Sequence, residues 1–247
     1  MEDEKIRIVN LCKSFKKGLN DKKQEVLKDI SLSIKKGETL GIIGVNGCGK
    51  TTLLKILAGI YNKNSGKIKK IGNIHYLASF GQGLKQKLTM KENIYLIGFL
   101  MGLTKKEISK RFNEIVKFAE LEGYVNTPVE KFSSGMISRL KFSTTVHCLS
   151  HKNPDILLID EAFGGGSDIS FQKKSFQKIK ELIDEGETVI MVTHNLKRAL
   201  QLCGRVIWID NGEIKRDGKP QKVIEEYVYS NLDKKNARKF LKNNMFN

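Results

Sequence analysis

The 247-residue chain carries 44 Lys plus Arg against 27 Asp plus Glu, a formal net charge of +17, and 40% of its residues are hydrophobic. These values predict a globular chain with a substantial core, and 3 Pro with 8% aromatic residues exclude a Pro-rich linker or an aromatic stacking platform. The positive charge suits nucleic acid or anionic lipid as a partner, or a lysine-rich solubilising surface.

The cysteines and the N-terminus both indicate a protein that stays inside the cell. Cys12, Cys48, Cys148 and Cys203 are widely separated, which argues against a disulfide framework or a zinc site. The first ten residues lack the basic and apolar regions of a secretory signal, and no apolar stretch is long enough to span a membrane.

Short apolar runs alternate with longer helical patterns along the chain. Strands are predicted at 5–9, 30–34, 39–43, 156–159, 188–192 and 205–209. Several of these runs are hydrophobic without alternation, which is typical of a parallel sheet covered by helices on both faces.

The helical predictions and a hairpin complete the chain. Helices are predicted over 49–60 and 221–229, and a helical subdomain over about 89–150 contains a capping box at Thr104 and Glu107. Asn211-Gly212 predicts a hairpin turn.

We expect one domain over 1–232 and a basic C-terminal tail over 233–247. The tail is interpreted as solvated or frayed, with contact to anionic lipid as the alternative.

Residues 44–51 fit the pattern G-x-x-x-x-G-K-[ST] between a predicted strand and a predicted helix. In such a loop, backbone N–H groups point at phosphate oxygens, Lys50 adds a cation for the β- and γ-phosphates, and the Thr51 hydroxyl ligates Mg²⁺. The alternative is a glycine turn with an exposed lysine. The predicted ATP-binding residues are Gly44, Val45, Asn46, Gly47, Cys48, Gly49, Lys50, Thr51 and Thr52.

Cys48 occupies a variable position of that pattern. Its thiol would lie near the nucleotide, and two interpretations are open: a small apolar residue where size matters, or a redox-active group.

Two carboxylates follow the predicted strand 156–159. The carboxyl ends of parallel strands form the ligand edge of an open α/β sheet, so Asp160 is expected to hold Mg²⁺ and Glu161 to accept the proton of the attacking water. An acidic pair in this place also serves as a helix cap or turn. His194 follows strand 188–192 at the same edge and is a candidate for contact with the terminal phosphate, with a structural role as the alternative.

These motifs, together with Phe132-Ser133-Ser134-Gly135-Met136 at a helix start, resemble the ATP-binding cassette of ABC transporters over nearly the whole chain. The segment corresponds to the signature motif of that family, although Ser-Gly and Met replace the usual two glycines and glutamine. The form S-S-G-M, followed by Arg139 and Leu140, is similar to ATPases that export O-antigen, capsular polysaccharide or teichoic acid. Further similar stretches are 53–59, 88–96, 111–119, 155–161 and 171–174.

The resemblance implies an α/β P-loop NTPase fold with a mostly parallel core sheet, an N-terminal antiparallel β part and a helical subdomain. It also implies that two cassettes pair head to tail and enclose each ATP between the phosphate loop of one copy and the signature of the other. The signature residues that contact ATP in trans would be Ser133, Ser134, Gly135 and Met136. From sequence alone, the two serines are a helix cap.

Three further residues take their roles from the resemblance. Phe15 would stack on adenine, with a buried core phenylalanine as the alternative. Gln82 would be an additional Mg²⁺ ligand, although the local spacing is not the common one of the family. Asp168 would lie in the loop that crosses the dimer, although one extra residue precedes it.

The function implied is an ATPase bound to the cytoplasmic face of the membrane, a homodimer on an integral-membrane permease, with ATP and Mg²⁺ as cofactors and no nucleic acid expected. The short chain leaves no room for an appended carbohydrate-binding domain, which favours teichoic acid, capsule or short O-antigen export. One alternative is a soluble ABC-type ATPase that acts on nucleic acid or ribosomes. A degenerate, non-catalytic cassette is a second alternative, but no expected motif is lost.

Overall fold

The computed structural model describes residues 4–16, 23–78, 83–149, 155–160, 168–184 and 186–245. Its strands are β1 (Glu4–Lys16), β2 (Lys23–Lys35), β3 (Thr39–Ile43), β4 (Ser65–Lys70), β5 (Ile74–Ala78), β6 (Ile156–Asp160), β7 (Thr188–Val192), β8 (Arg205–Asp210) and β9 (Glu213–Gly218). Its helices are α1 (Lys50–Leu57), α2 (Met90–Leu100), α3 (Lys105–Ala119), α4 (Ser134–Leu149), α5 (Ile169–Asp184), α6 (Leu196–Leu202), α7 (Pro220–Asn231) and α8 (Lys234–Met245).

A three-stranded sheet has the order β2-β1-β4, and both of its pairings are antiparallel. Along β1, Ile6, Ile8 and Leu11 are buried, whereas the intervening Arg7 and Val9 are exposed. This alternation is that of a sheet with one face on the core and one in water. The antiparallel N-terminal part is therefore confirmed.

A six-stranded sheet has the order β5-β6-β7-β3-β8-β9. The pairs β6–β7, β7–β3 and β3–β8 are parallel, and β9 returns antiparallel to β8 through the predicted hairpin. Every residue of β3, β6 and β7 is buried. The continuous apolar runs of the sequence thus form the centre of a parallel core, as predicted.

The chain divides into two compact units. Unit 1 comprises 1–76, 155–161 and 186–247, and unit 2 comprises 77–154 and 162–185. Unit 2 contains the helical stretch predicted at about 89–150 and also α5. Capping boxes begin α2 at Thr89 and α3 at Thr104, where each threonine bonds the backbone N–H three residues on.

The C-terminal segment is not the frayed or solvated tail that its composition suggested. Ala237 and Leu241, four residues apart on α8, are 0% and 4% exposed, and α8 contacts α6 and α7. Arg238 and Lys242 are exposed. Because lysines dominate this segment, its composition does not show that two apolar residues recur at helical spacing, and these two residues pack α8 against the rest of unit 1.

No helix within the described residues combines the length and the apolar character needed to cross a bilayer.

Candidate functional site

The loop between β3 and α1 has a backbone that only glycine permits at two positions. A Cβ on Gly44 would lie 2.1 Å from the carbonyl oxygen of Ile209. Gly49 has φ +110°, and a Cβ there would lie 2.7 Å from the carbonyl oxygen of Val26. These glycines let the loop turn tightly against β8 and β2 and enter the helix.

Lys50 is the first residue of α1 and is 5% exposed. Its Nζ donates to the carbonyl oxygens of Gly44 and Val45, each at 2.8 Å. Among the described residues no carboxylate forms an ion pair with this ammonium group. A buried cation with only neutral partners favours an anion as its third partner.

The N-terminus of α1 supplies further anion-binding groups. Gly49 provides no side-chain cap, so the first N–H groups of the helix remain available to a ligand. A cavity of about 140 Å³ lies here, a volume that suits phosphate groups rather than a whole nucleotide. It is lined by Asn46, Gly47, Gly49, Lys50, Thr51 and Thr52.

Asp160, at the end of β6, is 8% exposed and accepts two hydrogen bonds from side chains of unit 1. The Thr51 hydroxyl donates to Oδ1 at 3.2 Å, and the Tyr76 hydroxyl donates to Oδ2 at 3.0 Å. A threonine hydroxyl beside a carboxylate is a hard-oxygen pair that fits Mg²⁺. The predicted association of Thr51 and Asp160 is therefore present in the structure.

Tyr76 is a site residue that the sequence did not reveal. Burial, reinforced by the charge of Asp160, raises the pKa of its hydroxyl, which therefore remains a donor throughout the physiological range. It lies in a short strand and belongs to no motif. The only sequence signal is the pair of polar-tipped residues His75 and Tyr76 within β5, which does not identify the partner of Tyr76.

Replacing Tyr76 by phenylalanine should destabilise the fold, because Asp160 Oδ2 would lose its donor in a mostly buried position. The expected decrease in the free energy of unfolding is about 1–2 kcal/mol, measured by urea denaturation. Tyr61→Phe is the matched control, since the Tyr61 ring packs on Phe15 at 5.4 Å between centroids and this contact does not require the hydroxyl. Equal effects of the two substitutions would contradict the role assigned to Tyr76.

The ligand edge of the six-stranded sheet brings three predicted elements together. Strand β7 lies between β3 and β6, so the ends that lead into Gly44, His194 and Asp160 are neighbours. His194 is exposed in the turn between the buried Thr193 and Asn195, whose side chain caps α6. Glu161 and Gln82 lie outside the described residues, so their roles stay predictions.

Cys48 is 5% exposed, and its Sγ lies 3.9 Å from Lys50 Nζ. Burial raises the pKa of the thiol despite the opposing effect of Lys50. A Cβ on Gly44 would approach its sulfur to 2.8 Å, so the side chain fills space beside the loop. These features favour a packing role over a redox role.

A thiol reagent should therefore label the cysteines unequally. At pH 7.5 we expect Cys12, which is partly exposed, to react first, and Cys48, Cys148 and Cys203 to react at least about tenfold more slowly, because all three are buried with a raised pKa. Mass spectrometry after timed alkylation measures the rates. Fast labelling of Cys48 would instead support a redox role.

Phe15 is not a core residue. It is 36% exposed near the end of β1, where Lys13 Nζ lies 4.7 Å from the ring centroid. This exposure excludes the buried alternative and leaves part of the ring in contact with solvent.

The signature segment begins α4 in unit 2. Ser133 Oγ accepts the backbone N–H of Met136 at 3.2 Å, so Ser133 caps the helix. Ser133 and Ser134 are exposed, whereas Met136 is partly buried against the apolar cluster of unit 2. The serines and the helix start therefore face solvent, and the methionine contributes to packing.

Asp168 caps α5 by accepting the backbone N–H of Phe171 at 2.9 Å. That bond and an ion pair with Arg139, one turn beyond the signature, lower the pKa of its carboxyl. Arg139 also pairs with Glu120 at 2.9 Å. Within unit 2 these bonds connect the signature helix to both α3 and α5, a network that the sequence did not predict.

A family profile described as "ABC transporter" matches residues 27–164. The teichoic acids export ATP-binding protein TagH of Lactococcus lactis is 39% identical over 226 residues, 90% of this chain and 47% of that protein. The TagH protein of Levilactobacillus brevis is 45% identical over 201 residues, 81% of this chain and 54% of that protein. This chain therefore spans about half the length of these relatives.

A shorter relative is covered more completely. The O-antigen export system ATP-binding protein RfbB of Klebsiella pneumoniae is 38% identical over 209 residues, 85% of this chain and 83% of that protein. Among solved structures, a dimeric ATP-binding cassette in a post-hydrolysis state with ADP and phosphate has a TM-score of 0.70 and 28% identity. The alignment covers 87% of this chain and 98% of that one.

Proposed function

Because the chain belongs to the ABC transporter family, we propose that it is the ATP-binding and ATP-hydrolysing subunit of an exporter of lipid-linked cell-surface polysaccharide. The observation that carries the ATPase activity is the buried Lys50 ammonium group beside the paired Thr51 and Asp160. The names of the relatives favour teichoic acid or O-antigen as the cargo, and favour export over an action on nucleic acid or ribosomes.

The chemistry proposed for the site follows from its residues. Lys50 and the first N–H groups of α1 bind the phosphates, and Phe15 offers its ring to the adenine. Thr51 and Asp160 would hold Mg²⁺, with Gln82 as a further ligand, and the ion when bound neutralises charge on the phosphate oxygens. Glu161 accepts the proton of the attacking water, and His194 donates a hydrogen bond to the terminal phosphate.

Assembly is part of the same proposal. Two copies pair so that Ser133, Ser134 and the Gly135 amide of one copy reach the terminal phosphate bound by the other, and Asp168 lies close to the dimer contact. Exposed serines at a helix N-terminus suit an anion, and a related cassette is dimeric in its solved structure. The dimer would act on an integral-membrane permease at the cytoplasmic face of the membrane.

A Glu161→Gln substitution tests the catalytic part of the proposal. It should abolish hydrolysis while leaving ATP binding intact, so that the protein elutes as an ATP-bound dimer in size-exclusion chromatography. Glu122→Gln, at an exposed glutamate, is the control and should hydrolyse ATP as the unchanged protein does. Absence of the trapped dimer, or absence of ATP hydrolysis even with the permease present, would refute the proposal.

Membrane association needs its own experiment. The fraction of the protein that sediments with membranes should rise when the permease is co-expressed. Sedimentation with ribosomes rather than membranes would support the alternative function.

A further inference from the structure

A basic groove lies on the outer face of the three-stranded sheet, in unit 1. None of the residues that line it belongs to the phosphate loop at 44–51. The groove is an open depression of about 550 Å³. Arg7, Val9, Lys63, Lys67, Ile68 and Lys69 line it. We propose that this basic groove binds phosphoryl groups, either of lipid headgroups or of soluble phosphorylated molecules.

The first supporting observation is the register of β1 and β4. Arg7 lies directly opposite Lys69, and Val9 lies directly opposite Lys67, so cations are concentrated on one face of adjacent strands. Side chains at directly opposite positions have Cβ atoms about 4.5–5.5 Å apart, and like charges there destabilise a sheet. An anion between Arg7 and Lys69 would reverse that effect, because both cations would then face a common counter-charge.

The second observation is the scarcity of neutralising groups. Arg7 approaches Glu4 at 3.8 Å, but the Arg7 side chain is 57% exposed and the two groups are near the outer limit of an ion pair, so the pair contributes little. Lys63, Lys67 and Lys69 form no ion pair within the part of the chain that the structure describes, and none of the residues that line the groove is acidic. The positive potential of the groove is therefore available to a ligand.

The third observation concerns the shape and apolar character of the groove. Val9 is 40% exposed and contributes aliphatic surface between the cations. The volume is within the range of sites for small organic molecules and much larger than one phosphate ion needs. Arginine binds two phosphate oxygens at once and lysines add point charges, so a phosphoryl group with an attached carbon skeleton fits this lining.

The test uses two variants that each lose two positive charges. Arg7→Gln with Lys69→Gln removes the opposed pair, and Lys36→Gln with Lys222→Gln removes two exposed lysines outside the groove. Relief of like-charge repulsion should leave the first variant with an equal or higher melting temperature at low salt, so a loss of binding in it would not reflect unfolding.

Binding is measured in saturating ADP, so that nucleotide occupies the phosphate loop. One arm follows the amide NMR signals of Val9 and Lys67 during titration with inorganic phosphate and with glycerol phosphate. The other arm measures co-sedimentation with vesicles of phosphatidylcholine that contain or lack 30% phosphatidylglycerol. Binding to the vesicles points to a lipid headgroup, whereas amide shifts without vesicle binding point to a soluble ligand.

In either arm, the Arg7 and Lys69 variant should bind at least about tenfold more weakly than the unchanged protein, and the control variant should remain within about twofold. An equal loss in both variants would show that only the total charge matters and would overturn the proposal. So would the absence of both phosphate-induced amide shifts and binding to anionic vesicles.

Discussion

An alanine in place of Lys50 should reduce ATP hydrolysis by about 10²- to 10³-fold, measured as phosphate release by the purified protein, because it removes the one cation that α1 directs into the phosphate cavity. The same substitution removes the hydrogen bonds to the carbonyl oxygens of Gly44 and Val45, so the loop also loses the group that holds its backbone in shape. ATP affinity and hydrolysis should therefore both fall.

Lys55→Gln is the matched control for Lys50→Ala. Lys55 lies in the last turn of the same helix, and its ammonium group lies 5.2 Å from the centroid of the Tyr61 ring. It should retain hydrolysis within about twofold of the unchanged protein. If Lys50→Ala hydrolysed ATP at a comparable rate, the phosphate-binding assignment of the loop would be refuted.

The second large effect is expected at Asp160. Asp160→Asn should reduce hydrolysis by about 10²-fold or more and should move the Mg²⁺ dependence to much higher concentration, because a neutral amide is a poorer ligand than a carboxylate. Both hydroxyls that donate to Asp160 would then meet a group with only one acceptor oxygen, which disturbs the position of Thr51 as well. A Mg²⁺ titration of ATPase activity measures both effects.

Asp155→Asn is the control for that substitution. Asp155 immediately precedes β6 and pairs with Lys5 at 2.6 Å. That bond and the backbone N–H of Asn73 lower the pKa of the Asp155 carboxyl, so its loss should affect stability at neutral pH but not the Mg²⁺ dependence. An unchanged Mg²⁺ dependence in Asp160→Asn would remove Asp160 from the metal site.

The elements that local sequence determines were predictable. The phosphate loop needs glycines at fixed spacing because atoms of the loop and of β2 and β8 occupy the place of a Cβ, and that requirement is visible as a motif. Strands β3, β6 and β7 are buried along their whole length, so their residues are apolar or glycine apart from Thr39, Asp160 and Thr188 at the strand ends. In both cases the requirement, for glycine in the loop or for apolar residues in the strands, falls on residues close together in the sequence, so it can be seen there as a pattern.

The elements that tertiary contacts determine were not predictable. The Tyr76 hydroxyl meets a carboxylate 84 residues away, and no periodicity encodes that contact. Helix α8 depends on two apolar residues, Ala237 and Leu241, within a segment whose composition reads as a solvated tail. The ion pair of Asp168 depends on the position of Arg139 in another helix, which no local pattern encodes, and the place of Asp168 at a dimer contact stays a prediction.

The topology of the parallel sheet has a consequence for the order of folding. Strand β3 pairs with β7 at Thr39 and Val189, about 150 residues apart, and with β8 at Leu40 and Arg205. Such non-local pairings form slowly, whereas α2, α3 and α4 make contacts of much shorter sequence separation. During synthesis, β3 therefore remains without its pairing strands, and the phosphate loop without its final surroundings, until β7 and β8 have been translated. Nucleotide binding is consequently among the last properties that the growing chain acquires.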